Sequence, residues 1–345
     1  MSEKKKTGFF QKTKNMTDTN LLLAITMIVF FAMYIGAMIF EGKGFLKAQT
    51  FLNMLNANAA LIIASCGMSI VMITGSIDIS VGGVAALVSM CCAVYLDYHG
   101  GNVVTAIFIS LGIGLLFGLV QGYLVAYLDI QPFIVSLAGM FFARGMTTIV
   151  NTEPFNVQNE AFVKLKETRV IVPGLGSVNK LGKYVNAYVE IGVVVALILV
   201  IVLFCMLRWT KSGRNFYAVG GNQQSALMLG INVKKTKFMA HLLCSLLAGI
   251  GGFVYFMHVG SGSASHATGM EMNAIASSII GGTMLTGGVG NIIGTLFGVL
   301  SLSTIQNIVS SAGLDQAWWT GITIAAMLCL FLVIQSVVMA RKKKA

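Results

Sequence analysis

Apolar positions in this chain come in long runs, broken by short polar or glycine-rich stretches. The runs fall at roughly 21–40, 54–74, 79–97, 103–128, 132–150, 187–208, 238–258, 271–286, 291–311 and 318–340. Leu21 to Phe40, Ile191 to Leu207 and Trp318 to Val338 reach the roughly 20 apolar residues an α-helix needs to cross a bilayer. The expected fold class is an all-α polytopic membrane protein with about ten transmembrane helices. The eighth run is short and glycine-rich, which predicts a broken or re-entrant element buried in protein.

The longest polar interruption late in the chain is Arg208 to Lys237. It carries Arg208, Lys211, Arg214, Lys234, Lys235 and Lys237 and no acidic residue. Inside it, Asn222 suits a helix N-cap, since its side-chain oxygen can accept from an orphan N–H. Gly230 stands where a left-handed C′ glycine would end that helix, about two turns on. Ala226, Leu227, Met228 and Leu229 then present apolar surface that the loop alone can barely bury. Two readings stay open on the residues: docking into the groove of a soluble partner, or packing on the protein's own membrane base.

Charge orients the spans. Lys4, Lys5, Lys6, Lys12 and Lys14 precede the first run, and Arg341 to Lys344 follow the last. With the 208–237 island these regions hold fifteen basic residues against two acidic ones, Glu3 and Asp18. Positive residues stay in the cytoplasm, so both termini and the island belong there, which an even number of spans allows. The mixed-charge segment 151–186, with Glu153, Glu160, Glu167, Pro154 and Pro173, falls outside. The organisation expected is a cytoplasmic tail (1–20), one membrane domain (21–340) with an external loop (151–186) and a cytoplasmic loop (209–237), and a short cytoplasmic tail (341–345).

Composition agrees: 56% of the 345 residues are hydrophobic and 10% charged, against about 25% charged in soluble domains. Thirty-nine glycines against three prolines fit close helix packing in a bilayer. The net charge of +11 does not indicate nucleic acid, because it sits in tails and one loop and not on a folded basic surface. The six cysteines lie in apolar segments without a C-x-x-C pair and read as small core residues. The first apolar run is too long for a signal peptide and no A-x-A site follows it, so it reads as a retained span.

Gly114-Leu-Leu-Phe-Gly118 recurs as Gly294-Thr-Leu-Phe-Gly298, each followed by Leu-Asp at a turn (Leu128-Asp129 and Leu314-Asp315) and preceded by a glycine-rich element, Gly75 to Gly83 and Gly281 to Gly290. The copies lie five spans apart and therefore point oppositely, the signature of inverted repeats in transporters.

Few residues can carry chemistry. Asp78, in Thr74-Gly-Ser-Ile-Asp-Ile-Ser-Val-Gly-Gly83, is an ionisable group near membrane depth, and also stands where a carboxylate would cap the next span. Arg144 lies within the fifth run and either snorkels outward or pairs inside the bundle. Glu190 and Glu271 open the sixth and eighth spans, as solvated helix starts or as contacts for an external partner. His241, His258 and His266 show no metal-ligand spacing. No Walker A lysine is present, since Gly288-Val-Gly-Asn-Ile-Ile-Gly-Thr295 has the glycines without it, and no H-E-x-x-H or G-x-S-x-G motif occurs. The chain cannot hydrolyse ATP by itself, no metal or cofactor site is expected, and an intramembrane hydrolase lacks its constellation. An ion-coupled secondary transporter would have Asp78 as its one good carboxylate.

Three blocks resemble a known family, the permease subunits of bacterial ABC importers for simple sugars of the ribose and galactose type. They are Gly75-Ser-Ile-Asp-Ile-Ser-Val-Gly82, Tyr217 to Ile231 around Gly220-Gly221-Asn222, and Ile275 to Gly290 with Gly281-Gly282-Thr283 and Gly287-Gly288-Val-Gly290. Ser76 replaces a family glycine. Leu137 to Gly145 and Trp318-Trp319 look most like the galactofuranose branch. The resemblance implies a type II importer-like permease that forms the translocation pathway, working as two copies or paralogues with a cytoplasmic ABC ATPase and an external sugar-binding (lipo)protein. It implies a multi-pass protein of the bacterial plasma membrane, set among its lipids. It implies coupling to the ATPase through Gly220, Gly221, Asn222, Ala226 and Gly230. It marks Gly75, Asp78, Ser80, Gly82, Gly281, Gly282, Gly287, Gly288 and Gly290 as motif and possible pathway residues. The same architecture also serves nucleosides and branched-chain amino acids.

Overall fold

A computed structural model describes residues 18–41, 45, 47–178, 184–313 and 317–344. All five tail lysines before the first span, Leu314 and Asp315 lie outside the described residues. The helices are α1 (Asp18–Glu41), α2 (Ala48–Ile73), α3 (Val81–Asp97), α4 (Val103–Ala126), α5 (Pro132–Val150), α6 (Glu160–Glu167), α7 (Ile191–Trp209), α8 (Lys211–Gly221), α9 (Gln223–Met228), α10 (Val233–Val259), α11 (Met270–Ile280), α12 (Ile292–Ser311) and α13 (Ala317–Lys344). Four strands complete the described set: β1 (Phe155–Asn156), β2 (Arg169–Val178), β3 (Tyr184–Glu190) and β4 (Ser261–Gly262). Asparagine side chains cap α4, α6, α9, α10 and α12 by accepting from a backbone N–H of the first turn, satisfying donors that a helix start leaves free.

Eight of the helices are long and apolar enough to span a bilayer, not the ten expected. α3 has 17 residues and α11 has 11, about 25 Å and 16 Å at 1.5 Å per residue. Each adjoins irregular chain whose backbone bonds close locally: Ser76 N–H donates to the Val71 carbonyl (3.2 Å) and Thr283 N–H to that of Ser278 (2.9 Å). Such backbone is tolerated at membrane depth when protein covers it.

The segment 151–190 is not a plain loop. It holds α6 and the antiparallel hairpin β2–β3, with an irregularity between Val172 and Gly176. β1 pairs with β4 just past the end of α10, and Phe162 of α6 stacks on Phe256 of α10 with ring centroids 4.3 Å apart. α10 thus runs from the basic loop at one end of the bundle to the hairpin at the other. At the loop end, Thr19 and Asn20 of α1 line a cleft with Arg208 and Arg214.

α2 and α10 form the centre. α10 packs on α4, α3 and α2; α2 packs on α12, α11 and α10. Exchanging α2–α5 with α10–α13 leaves this pairing unchanged, and α4 and α12 run in opposite senses, as inverted repeats require. One element of the sequence reading is corrected. Gly75–Gly83 covers the break between α2 and α3 and the first turn of α3, whereas 281–290 lies between α11 and α12, so the two are not equivalent. The break matching 74–80 is 260–269, between α10 and α11. The repeated glycines also serve different partners. Gly114 and Gly118 abut the α10 backbone at Ser245 and Leu242, while Gly294 and Gly298 abut that of Gly281 and Ser277.

Candidate functional site

The loop helix α9 has both its ends built as the residues suggested. The Asn222 side chain accepts from Ser225 N–H at 2.8 Å. Gly230 is left-handed (φ 77°), its N–H donates to the Leu227 carbonyl and Ile231 N–H to that of Ala226, the paired bonds of a Schellman end. The two readings of its apolar residues divide by side chain. Ala226 is buried against the protein itself, whereas Leu227, Met228 and Leu229 are 65%, 87% and 79% exposed. Ala226 therefore belongs to the base, and any partner meets the following three residues.

α9 stands on α8, a helix the sequence pattern had not marked, which buries Phe216 and Val219. The far end of α8 meets the other two blocks. A Cβ on Gly220 would overlap the Ile73 carbonyl at the end of α2 and come within 2.6 Å of Gly288 N. A Cβ on Gly287 (φ 84°) would lie 2.7 Å from the Gly220 carbonyl and 2.9 Å from Gly75 N. Gly288 N–H donates to the Ile73 carbonyl at 2.9 Å, and Tyr217 Oη donates to the Gly290 carbonyl at 2.8 Å. Burial pushes that phenol up to about 12, so it stays a donor near neutral pH. Gly75, Gly220, Gly221, Gly287 and Gly288 thus form one junction of backbone on backbone, with Gly290 held beside it by Tyr217, joining α8 to the α2–α3 break and to the loop between α11 and α12. Ser76 is buried without a positive φ, so the backbone there does not require glycine.

The remaining motif residues lie apart from this junction. Gly281 packs on the α12 backbone at Gly294, and Gly282 on Leu22 of α1. Asp78 is fully buried. Its Oδ1 accepts from Ser80 N–H (3.0 Å) and Ser80 Oγ (2.6 Å) at the start of α3, and Ser245 Oγ approaches Oδ2 at 3.5 Å. Gln121 Nε2 donates to Ser80 Oγ at 2.9 Å. His241 is also fully buried, and neither ring nitrogen has a partner among the described residues. No local pattern singled it out, since its neighbours come from other helices.

Gly82 faces the second break, beside the Glu271 carboxylate and the Ala267 carbonyl. Arg144 pairs inward: its guanidinium donates to the His266 carbonyl, donates to the Ala267 carbonyl at 2.8 Å, and lies 4.0 Å from Glu271. Glu271 is buried at 9% exposure, which corrects the expectation of a solvated helix start. Ser89 Oγ lies 3.1 Å from His266 Nδ1, and burial holds His266 below its usual range. Glu190 meets His258 at 2.7 Å.

A cleft of about 430 Å³ opens toward the hairpin end between α2 and α12, lined by Thr50, Asn53, Ser303, Asn307 and Ser311 beside Phe45, Met54 and Ala57, with no ionisable side chain among the described residues. These small polar groups are scattered singly in apolar runs, so only the packing brings them together.

A family model described as the permease component of branched-chain amino acid transport systems matches residues 50–332. The chain is 35% identical to the inner membrane ABC transporter permease protein YjfF of Escherichia coli K12, over 93% of each chain. It is 34% identical to the fructose import permease protein FruG of Bifidobacterium longum, over 82% of this chain and 81% of that one. It is 30% identical to the ribose import permease protein RbsC of Escherichia coli K12, over 89% and 90%. No solved structure matches the chain.

Proposed function

This chain belongs to the family of permease components of branched-chain amino acid transport systems, and on that premise we propose that it is the membrane subunit of an ATP-driven importer of a simple sugar. The sugar relatives support the substrate class, as does the polar cleft. Its hydroxyls and amides suit a neutral polyol, whereas an amino-acid zwitterion would require charged partners, of which the described lining holds none. An ion-coupled transporter is less well supported, because Asp78 is engaged in holding the start of α3.

The observation that carries the mechanism is the glycine junction beneath an exposed apolar helix. A cytoplasmic ATPase receives Leu227, Met228 and Leu229 in a groove. When nucleotide closes the ATPases, α9 moves and α8 moves with it. At Gly220 the displacement meets the Ile73 carbonyl and Gly288 without a compliant side chain between them. It therefore passes to both irregular segments, which can switch between two packings while the long helices stay rigid. Both termini and the α8–α9 loop are cytoplasmic. The hairpin end faces an external sugar-binding protein, and a second copy or a paralogue completes the pathway in the bacterial plasma membrane.

Met228→Asp tests this. With the side chain 87% exposed, thermal stability should change by less than about 0.5 kcal/mol. Co-purification of the ATPase and ATP-driven uptake of labelled pentose or hexose should fall at least tenfold. Full ATPase retention by this variant would remove α9 as the docking element, and wild-type uptake of leucine in place of sugars would overturn the substrate class.

A further inference from the structure

We propose that the cleft between the start of α1, the end of α7, α8 and the start of α12 binds the phosphate headgroup of an anionic membrane lipid. The cleft holds about 380 Å³, and Arg208 and Arg214 line it together with Thr19, Asn20 and Tyr217. Two arginines from different helices line one volume, with hydroxyl and amide groups beside them and, among the described residues, no carboxylate in the lining. Among the described residues neither arginine pairs with an acid; Arg214 donates only to the Trp209 carbonyl, at 3.3 Å. Two unneutralised arginines on one cavity repel each other, and a phosphate takes both through charge-assisted, often bidentate hydrogen bonds.

The cleft's place in the fold favours a lipid over a soluble anion. Arg208 ends a membrane span, and Trp209 beside it is 66% exposed, the position of an interfacial aromatic anchor. Phe204 lines the cleft one turn back from Arg208, and Ile201, on the same helix face, is 61% exposed. That stripe leads an acyl chain from the cleft along the apolar flank of α7. Basic pockets between spans at the membrane surface bind anionic headgroups in this way. A lipid held here ties α7 to α8, the helix on which α9 stands.

The test uses the full-length chain in neutral detergent, titrated with phosphatidylglycerol, with phosphatidylcholine, and separately with inorganic phosphate. Retained lipid is counted by native mass spectrometry and thermal stability is recorded alongside. Phosphatidylglycerol should remain bound and raise the midpoint, and phosphatidylcholine should do neither. R208Q/R214Q should retain at least fivefold less phosphatidylglycerol, whereas K234Q/K235Q, which removes the same charge from the start of α10, should retain it fully. Single R208Q, at an exposed position without a hydrogen bond among the described residues, serves if the double variant does not fold, with a loss of at least twofold. Equal retention by the arginine variants, or an equal loss in the lysine variant, would overturn the site. Stabilisation by inorganic phosphate matching that by phosphatidylglycerol would overturn the lipid assignment in favour of a free anion.

Discussion

The two ends of the helix bundle are closed by opposite means. At the loop end, α8 meets the α2–α3 break and the 281–290 segment through glycine backbone, with the Gly288 N–H to Ile73 carbonyl bond among the contacts. At the hairpin end, beside the short β1–β4 backbone pairing, side chains carry most of the closure. Phe162 stacks on Phe256, Lys166 Nζ donates to the Val259 carbonyl at 3.0 Å, and the Arg169 guanidinium lies 4.2 Å over the Tyr188 ring. Side chains can change rotamer and absorb a shift; backbone in direct contact cannot. The loop end is thus suited to passing on a displacement, and the hairpin end to holding a surface in place while tolerating movement beneath it.

The sharpest test compares two adjacent glycines. Gly220→Ala puts a methyl into the Ile73 carbonyl, backbone that has no rotamer to yield, and should cost about 3 kcal/mol or more, at the top of the range for overpacking. Gly221→Ala meets nothing within 4 Å, and should be neutral or stabilising by up to about 1 kcal/mol, as alanine for glycine in a helix is. Thermal unfolding of the purified protein and uptake in cells should both separate the pair: G220A without transport, G221A like wild type. Wild-type uptake by G220A would mean that the junction has slack, and the contrast between the two ends would collapse.

How far this contrast was legible beforehand differs between its halves. Asn222 and Gly230 declare the ends of α9 because capping is local chemistry, read within a few residues. α8 escaped notice because Gly213, Gly220 and Gly221 are poor helix formers, although Phe216 and Val219, three apart and both buried, carried its signal. Long apolar runs betrayed the long spans, but α3 and α11 adjoin irregular chain, which hydropathy averages cannot distinguish from helix. The hairpin was masked by the prolines and mixed charge of the 151–186 segment, and Pro173 and Gly174 lie within the irregularity of the β2–β3 pairing. The meeting of Gly75, Gly220 and Gly288 is set by the packing of helices far apart in the chain, and spacing alone does not contain it. The mismatch of 75–83 with 281–290 has the same origin, since glycine-rich composition marks a break without saying which helices it joins.

A smaller effect is expected at the other end. Phe162→Leu keeps most of the buried apolar volume but loses the ring stack on Phe256, worth about 1 kcal/mol. The loss should be local: faster hydrogen exchange and proteolysis across α6 and the β2–β3 hairpin, with exchange at α8 and the 281–290 segment unchanged. Sugar uptake should fall modestly. Faster exchange at α8 in this variant would show that the two ends are coupled through α10 and are not independent closures.

The smallest effect should come from Glu190 and His258, which join the start of α7 to the end of α10 at 2.7 Å. Their side chains are 31% and 37% exposed, so water and salt screen the pair, and its contribution should stay below roughly 0.5 kcal/mol. Glu190→Gln also removes a negative charge from the start of α7, a favourable position worth a few tenths of a kcal/mol. The Glu190 backbone N–H keeps its bond to Asn56 Oδ1 at 2.9 Å, so the chain should still enter α7 as before. A thermal midpoint shift that is barely measurable at low salt and gone at high salt, with uptake unchanged, would place the strength of this end in its ring stacking. If E190Q instead matched F162L in lost stability, the hairpin end would rest on charge as much as on packing, and its tolerance of movement would need another explanation.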